Sequence, residues 1–311
     1  MNPAEETGSW KGYENLEYLF VFGASTSDVG YRHGRSPQPT KEQPLGIEYP
    51  GETWTERNEA NWVGHLINQY THSNPVVYNY AVGGHTLKGY AEQILKGFLD
   101  GTGDENSGVG WTAENSLFVS SIGGNDLANP DLDIVSCMTE IFELQYKLYE
   151  GGARNFVIFN VAPLPPPGDN VTEFTRHMLS KREEKCGEWN VMLPPFIDDF
   201  TAAYPDSTMF LFDVYSHTKK MQQDPTSYGF SEAAGRMYDQ EMYIDNIHPS
   251  SKAHKHIAWH LGSFLSGKEM DRDKEEKYDR RPLEERHPSF GERIKATLHG
   301  GRNLGVQPLP L

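Results

Sequence analysis

Five short, continuous apolar runs punctuate this chain, and the first three stop at glycine. Tyr18-Leu19-Phe20-Val21-Phe22 ends at Gly23, Val76-Val77-Tyr78-Asn79-Tyr80-Ala81 at the pair Gly83-Gly84, and Ser116-Leu117-Phe118-Val119-Ser120-Ser121-Ile122 at Gly123-Gly124. Phe156-Val157-Ile158-Phe159-Asn160-Val161 runs into a proline-rich turn over 162–167, and Thr208-Met209-Phe210-Leu211-Phe212 meets Asp213. Runs of this length without alternation read as strands buried on both faces. The segments between them carry helical spacing: 61–67, a stretch through Ile94 and Leu95, 131–149 with Ile134, Met138, Ile141, Phe142, Leu144 and Leu148 on one side, and 250–265 behind a Ser250 or Ser251 cap. Residues 171–204 also read as helical, with an interruption near Pro194-Pro195. Strands alternating with helices predict a five-stranded parallel sheet in a three-layer α/β/α sandwich.

The sandwich is expected over residues 17–266. Residues 1–16 are polar, lack an apolar core segment, and read as a flexible leader. As written, the chain is then expected to be intracellular (cytoplasmic), or else secreted with a signal already removed. After Gly267 alternating charge takes over, so 267–311 reads as a solvated tail, which accounts for the low mean hydropathy of -0.65. Residues 31–57, rich in Pro, Gly and charge, form a long loop of the kind that usually has a functional task. The net charge of -16 argues against a nucleic-acid or anionic-membrane partner and for a neutral substrate. No run reaches the ~18 apolar residues of a membrane span. With Cys137 and Cys186 alone, a disulfide framework and a cysteine-built zinc site are excluded, though not a single bridge.

In a parallel sheet the ligand site lies beyond the carboxyl ends of the strands. Four features fall there: Ser25, Gly83-Gly84, Gly123-Gly124-Asn125-Asp126 and Asp245-Asn246-Ile247-His248-Pro249. Taken singly, Ser25 reads as a helix cap, the glycine pair as a turn, and Asn125-Asp126 as an Asx turn or cap. Asp245 and His248 say more. A carboxylate three residues before a histidine can hold one ring nitrogen and leave the other free to take a serine proton.

Together these blocks resemble the SGNH or GDSL-type serine hydrolases. The matching stretches are Phe22-Gly23-Ala24-Ser25, Asn79 to Gly84, Ile122 to Asp126, and Asp245 to Pro249, and the resemblance spans residues 18 to about 266. Pro50-Gly51 with Asn61-Trp62-Val63, and Phe212 to Ser216 with Tyr228-Gly229-Phe230, look like the fungal acetylesterases of carbohydrate esterase family 16. The resemblance implies the flavodoxin-like SGNH fold, Ser25 as nucleophile, His248 as general base and Asp245 as its orienter. It also implies an oxyanion hole from the backbone N–H groups of Ser25 and Gly84 and the side-chain amide of Asn125. No metal or organic cofactor is called for. The expected activity is a serine esterase that removes short acyl groups, acetyl above all, from a small neutral hydroxylated substrate such as an oligosaccharide. The alternatives are an intracellular deacylase or acyltransferase for a secondary metabolite, and a silent binding module. One departure stands out: Ala24 occupies the position of the family's aspartate. Its loss is expected to tune or weaken activity rather than abolish it, with Asp28 a candidate substitute.

Other signals point elsewhere. His256-Ile257-Ala258-Trp259-His260 has metalloprotease spacing without the glutamate, and with His254 reads as a solvated helix face. Gly101 to Gly110 lacks the Gly-Lys-Ser/Thr of a phosphate loop. Trp54, Trp62 and Trp111 are candidate sugar platforms, with burial the commoner fate of a tryptophan. Asn170-Val171-Thr172 is a glycosylation sequon of a kind that arises by chance.

Overall fold

Strand β1 (Tyr18–Gly23) lies between β2 (Val76–Asn79) and β3 (Ser116–Ser121), with β4 (Asn155–Phe159) and β5 (Thr208–Phe212) beyond. The order is β2-β1-β3-β4-β5, and every pairing is parallel. This is a computed structural model, which describes residues 8–103, 107–168, 171–237 and 239–278. The helices are α1 (Trp62–His65, continued by a π-helical turn over Leu66–Tyr70), α2 (Leu87–Glu92, continued likewise over Gln93–Thr102), α3 (Ile134–Glu150), α4 (Glu173–Ala203), α5 (Val214–Gln223) and α6 (Ser251–Ser266). Helices α1, α5 and α6 pack together on one side of the sheet, and α2, α3 and α4 on the other. The chain is thus an α/β/α sandwich.

The strand residues were legible because both faces are covered: Leu19, Phe20, Val21 and Phe22 are completely buried. The register aligns Phe20 with Tyr78 on one side and Phe118 on the other, and its ring stacks on both at 5.6 and 4.7 Å. Each such pair contributes about 0.5–1.5 kcal/mol beyond its buried area. From β1 the chain crosses to β2, then returns past β1 to β3. The two crossovers diverge there, opening a crevice at the carboxyl end of β1.

Several expectations need correction. Helix α4 runs unbroken through Pro194 and Pro195, because both prolines face solvent, where the freed carbonyls can be hydrated, while Leu193, Ile197 and Phe200 are buried around them. Helix α5 falls where an irregular connection was expected. Asp213 caps it through Ser216 N, and its buried face includes the polar Thr218, which hides the period. Residues 8–16 are no flexible leader. Trp10, Tyr13 and Leu16 are buried, and Trp10 packs edge-on against Phe210 at 5.5 Å. The folded unit also extends past Gly267: Met270 accepts the Trp259 indole hydrogen bond, and Lys277 and Tyr278 reach the side chain of Asn68. The remainder of the expected tail, 279–311, lies outside the described residues, as does Asn170 of the sequon. Cys137 and Cys186 are free and buried.

The histidines of α6 are not a solvated face. His254 is fully buried, His256 meets the Tyr228 carbonyl at 2.9 Å, and His260 stacks on His217 at 3.8 Å. Burial depresses all three, His254 and His260 to about 3 and His256 to about 4, from an ordinary 6.5. On acidification the unfolded chain therefore takes up these protons first. Stability is full above pH 6.5 and drains as the pH falls toward 4, by several kcal/mol for three such groups. A thermal melt series should show Tm falling by roughly 10 °C or more between pH 7 and pH 4.5. A flat profile would mean that these rings are hydrated in solution.

Candidate active site

Beyond Gly23 the chain turns sharply. The N–H groups of Ser27 and Asp28 both reach back to the Ala24 carbonyl at 3.0 Å, and this turn holds Ser25 at the strand's end. A side-chain amide clamps the turn's base: Gln93 accepts from Gly23 N–H and donates to Gly23 C=O, both at 2.8 Å. Asn79 Nδ2 and Trp62 Nε1 fix Ser27 from below, at its carbonyl and its hydroxyl.

The histidine arrives from the far end of the chain on a narrow loop closed by the Tyr243–Pro249 bridge and by Ser250 N–H donating to Met242 C=O. Within it Asp245 Oδ1 accepts the backbone N–H groups of Ile247 and His248, both at 2.7 Å. Asp245 Oδ2 lies 2.7 Å from His248 Nδ1, and His248 Nε2 lies 3.0 Å from Ser25 Oγ. Burial alone would raise the Asp245 carboxyl, but hydrogen bonds from the His248 ring and the two backbone N–H groups outweigh it and hold the group below its ordinary value. The anion keeps the Nδ1 proton facing it, which leaves Nε2 as a proton acceptor toward Ser25. Ser251, which opens α6 directly afterwards, receives Glu56 on its N–H at 2.8 Å.

The expected oxyanion donors lie on neighbouring turns. Gly84 has φ +79°, a left-handed conformation that costs glycine little, and the space where a Cβ would project is open. Among the described residues neither the Ser25 nor the Gly84 N–H donates to a protein acceptor. Asn125 uses one amide hydrogen on the His85 carbonyl at 2.9 Å, which ties its turn to that of Gly84 and leaves the second hydrogen to donate. Asp126 adds a tie, its Oδ1 accepting from Leu87 N–H at 3.0 Å.

Asp28 does not replace the missing carboxylate at position 24 by reaching Ser25 or His248. Almost fully buried, it accepts from Gly83 N–H and Gly30 N–H, both at 2.8 Å, and from Trp54 Nε1 at 3.4 Å, and it pairs with both terminal nitrogens of Arg32. Its carboxylate thereby locks the Ser25 turn to the Gly83-Gly84 turn. Trp54 rests on Gly83, where any Cβ would meet the indole at 2.4 Å, and lies 5.2 Å from the His248 ring. Of the three candidate tryptophans, Trp62 is buried, Trp111 packs on the core, and Trp54 is 46 % exposed beside the site. Sequence reasoning gave no sign of Gln93, whose role depends on a turn it does not adjoin in sequence. Among the described residues no group of three or more His, Cys, Asp or Glu side chains is placed to hold a metal ion.

The arrangement offers a hydroxyl, a base that can take its proton, a carboxylate that orients the base, and N–H donors where charge would develop on an attacked carbonyl. A family model described as GDSL-like lipase/acylhydrolase matches residues 19–261. The chain is 27% identical over 276 residues to an acetylesterase of Thermothelomyces thermophilus, covering 81% of this chain and 89% of the relative. It is 22% identical over 256 residues to a thermolabile hemolysin of Vibrio parahaemolyticus, covering 68% of this chain and 59% of the relative. Among solved structures, the α/β hydrolase LAE5 from the Lake Arreo metagenome superposes with a TM-score of 0.51 at 13% identity, covering 83% of this chain and 100% of that one.

Proposed function

Because the chain belongs to the GDSL-like lipase/acylhydrolase family and is a carboxylic ester hydrolase, we propose that it is a serine esterase releasing short acyl groups, acetyl among them, from a hydroxylated compound such as an acetylated oligosaccharide. The observation that carries this reading is the relay from Asp245 through His248 to Ser25, at 2.7 and 3.0 Å. Ser25 attacks the ester carbonyl as His248 takes its proton. The oxyanion meets the N–H groups of Ser25, Gly84 and Asn125, and protonation by His248 expels the alcohol. Water, activated by the same imidazole, then releases the acid. The similarity to an acetylesterase supports acetyl as one acyl group.

The alcohol must leave on the His248 side, where the exposed face of Trp54 offers a sugar a stacking surface. Acetate release from acetylated xylo-oligosaccharides, measured alongside 4-nitrophenyl acetate, tests the proposal. Trp54→Ala should lower kcat/KM on the oligosaccharide about tenfold more than on the aryl ester, about 1.4 kcal/mol of lost stacking. Equal losses on both would remove the sugar from the proposal, and no acetate release from any ester would remove the esterase.

A further inference from the structure

Next to Ser25 a cavity of about 130 Å³ runs inward between the carboxyl ends of β1, β3 and β4 and helices α4 and α6. That is roughly ten times what a single water-sized group requires, and an acetyl methyl is scarcely larger than one such group. The walls are mainly apolar, with Ile122, Leu127, Phe159, Val161, Leu164 and Ile257 among them. Ser25 and Asn125 are among its lining residues, whereas neither His248 nor Trp54 contributes to the lining. Stereochemistry then fixes its use. In the tetrahedral intermediate the oxyanion points to the N–H donors and the leaving oxygen to His248 Nε2, so the cavity is left for the acyl chain.

One wall residue does not match the others. Arg182, on α4, lines the cavity and donates to the Gly124 carbonyl at 2.6 Å, immediately before Asn125. No carboxylate among the described residues forms an ion pair with it. Burial pulls its guanidinium below the ordinary value. A half-buried cation without a counter-ion is costly to keep in an apolar wall, and a guanidinium has five N–H donors, of which the Gly124 carbonyl engages one. Two more residues of the lining, His254 and Thr218, are buried, and their Nδ1 and Oγ1 atoms have no protein partner. We propose that this cavity receives an acyl chain ending in a carboxylate, and that Arg182 is the residue that selects it. The substrates so defined are half-esters of short dicarboxylic acids, malonyl to glutaryl. This rests on the ester-hydrolase reading and extends it to the acyl group. In an acidic protein a dedicated cation is what admits such an anion. The chemistry is unchanged: Ser25 Oγ bonds the ester carbon, the alcohol leaves with the proton from His248, and the dicarboxylic acid departs on hydrolysis.

The test compares 4-nitrophenyl hydrogen succinate with 4-nitrophenyl 4-methylpentanoate, whose isopropyl end has the shape of the carboxylate without its charge. The substrate's own spontaneous hydrolysis is subtracted. The wild-type protein should favour the succinate in kcat/KM by about tenfold or more, as one charge-assisted pair in a sheltered site implies. Arg182→Met should erase that ratio and Arg182→Lys retain part of it. If Arg182 served only to hold the Gly124 carbonyl, both substrates would slow together and the ratio would persist, which overturns the proposal. A wild-type ratio of one or less overturns it without any variant, so misfolding of Arg182→Met cannot shield it. Turnover of 4-nitrophenyl acetate without the preference refutes the acyl assignment alone. No turnover of any of the three esters refutes both it and the esterase.

Discussion

Replacing Ser25 by alanine is expected to cut hydrolysis of 4-nitrophenyl acetate by about 10⁴-fold or more, with the melting temperature scarcely moved. The size of the effect follows from the relay. With Oγ gone, His248 has no proton to accept and the acyl-enzyme cannot form, while the N–H donors and the cavity remain and sustain a small residual rate. A fluorophosphonate probe should label the wild-type protein and not Ser25→Ala. The same pair of measurements separates an esterase from a binding module that has kept its pocket. Turnover equal to wild type in the variant, or a folded wild-type protein that resists the probe, would take the nucleophile's role from Ser25.

The second large effect is expected at Asn125. Of the three proposed oxyanion donors its side chain is the one that mutation can remove without altering the backbone, and losing such a donor costs about 10²–10³ in kcat, or roughly 3–4 kcal/mol of transition-state stabilisation. KM should change little, because the donor is aimed at charge that the ground state lacks. The Nδ2 contact to His85 complicates the reading, since Asn125→Ala also frees the turn beside Gly84. Asn125→Asp keeps the size of the side chain but replaces the amide donor with an acceptor toward both the oxyanion and the His85 carbonyl, and should be at least as damaging; Tm read beside kcat separates the loosened turn from the lost donor. A drop confined to KM in either variant would mean that Asn125 binds substrate rather than its transition state.

How much of this was legible before the fold is instructive at particular residues. The strands were, because Phe20 and its neighbours are buried on both faces and have no polar residue to interrupt them. Ser25, the Gly83-Gly84 pair, Asn125-Asp126 and Asp245-x-x-His248 stood out because each lies at the end of a predicted strand or in a tight turn, where a parallel sheet gathers its ligands, and the resemblance to the SGNH hydrolases then singled out Gly84 and Asn125 among them. Asp28 could be noticed but not interpreted: its carboxylate serves Gly83, Gly30, Trp54 and Arg32, and no pattern along the chain announces such a hub. Arg182 carries no mark in the sequence that sets it apart from the other charges of α4, since solvation and burial are decided by what faces it. The prolines of α4 misled for a related reason: a rule about backbone hydrogen bonds gave way to the choice of helix face.

Ser25 and His248 are 223 positions apart and meet through a single hydrogen bond. The parallel sheet from β1 to β5 is complete by Phe212, before the loop that carries the base has been reached. A chain growing from its N-terminus therefore has its hydroxyl, turns and cavity walls from β1 to α5 in hand while it still has no means of using them. With the site roles proposed above, catalytic competence requires the Tyr243–Pro249 loop to close and α6 to dock against α1. An enzyme laid out in this way is expected to be inert until that loop and α6 are in place, and recovery of turnover on refolding then times their docking rather than the formation of the sheet.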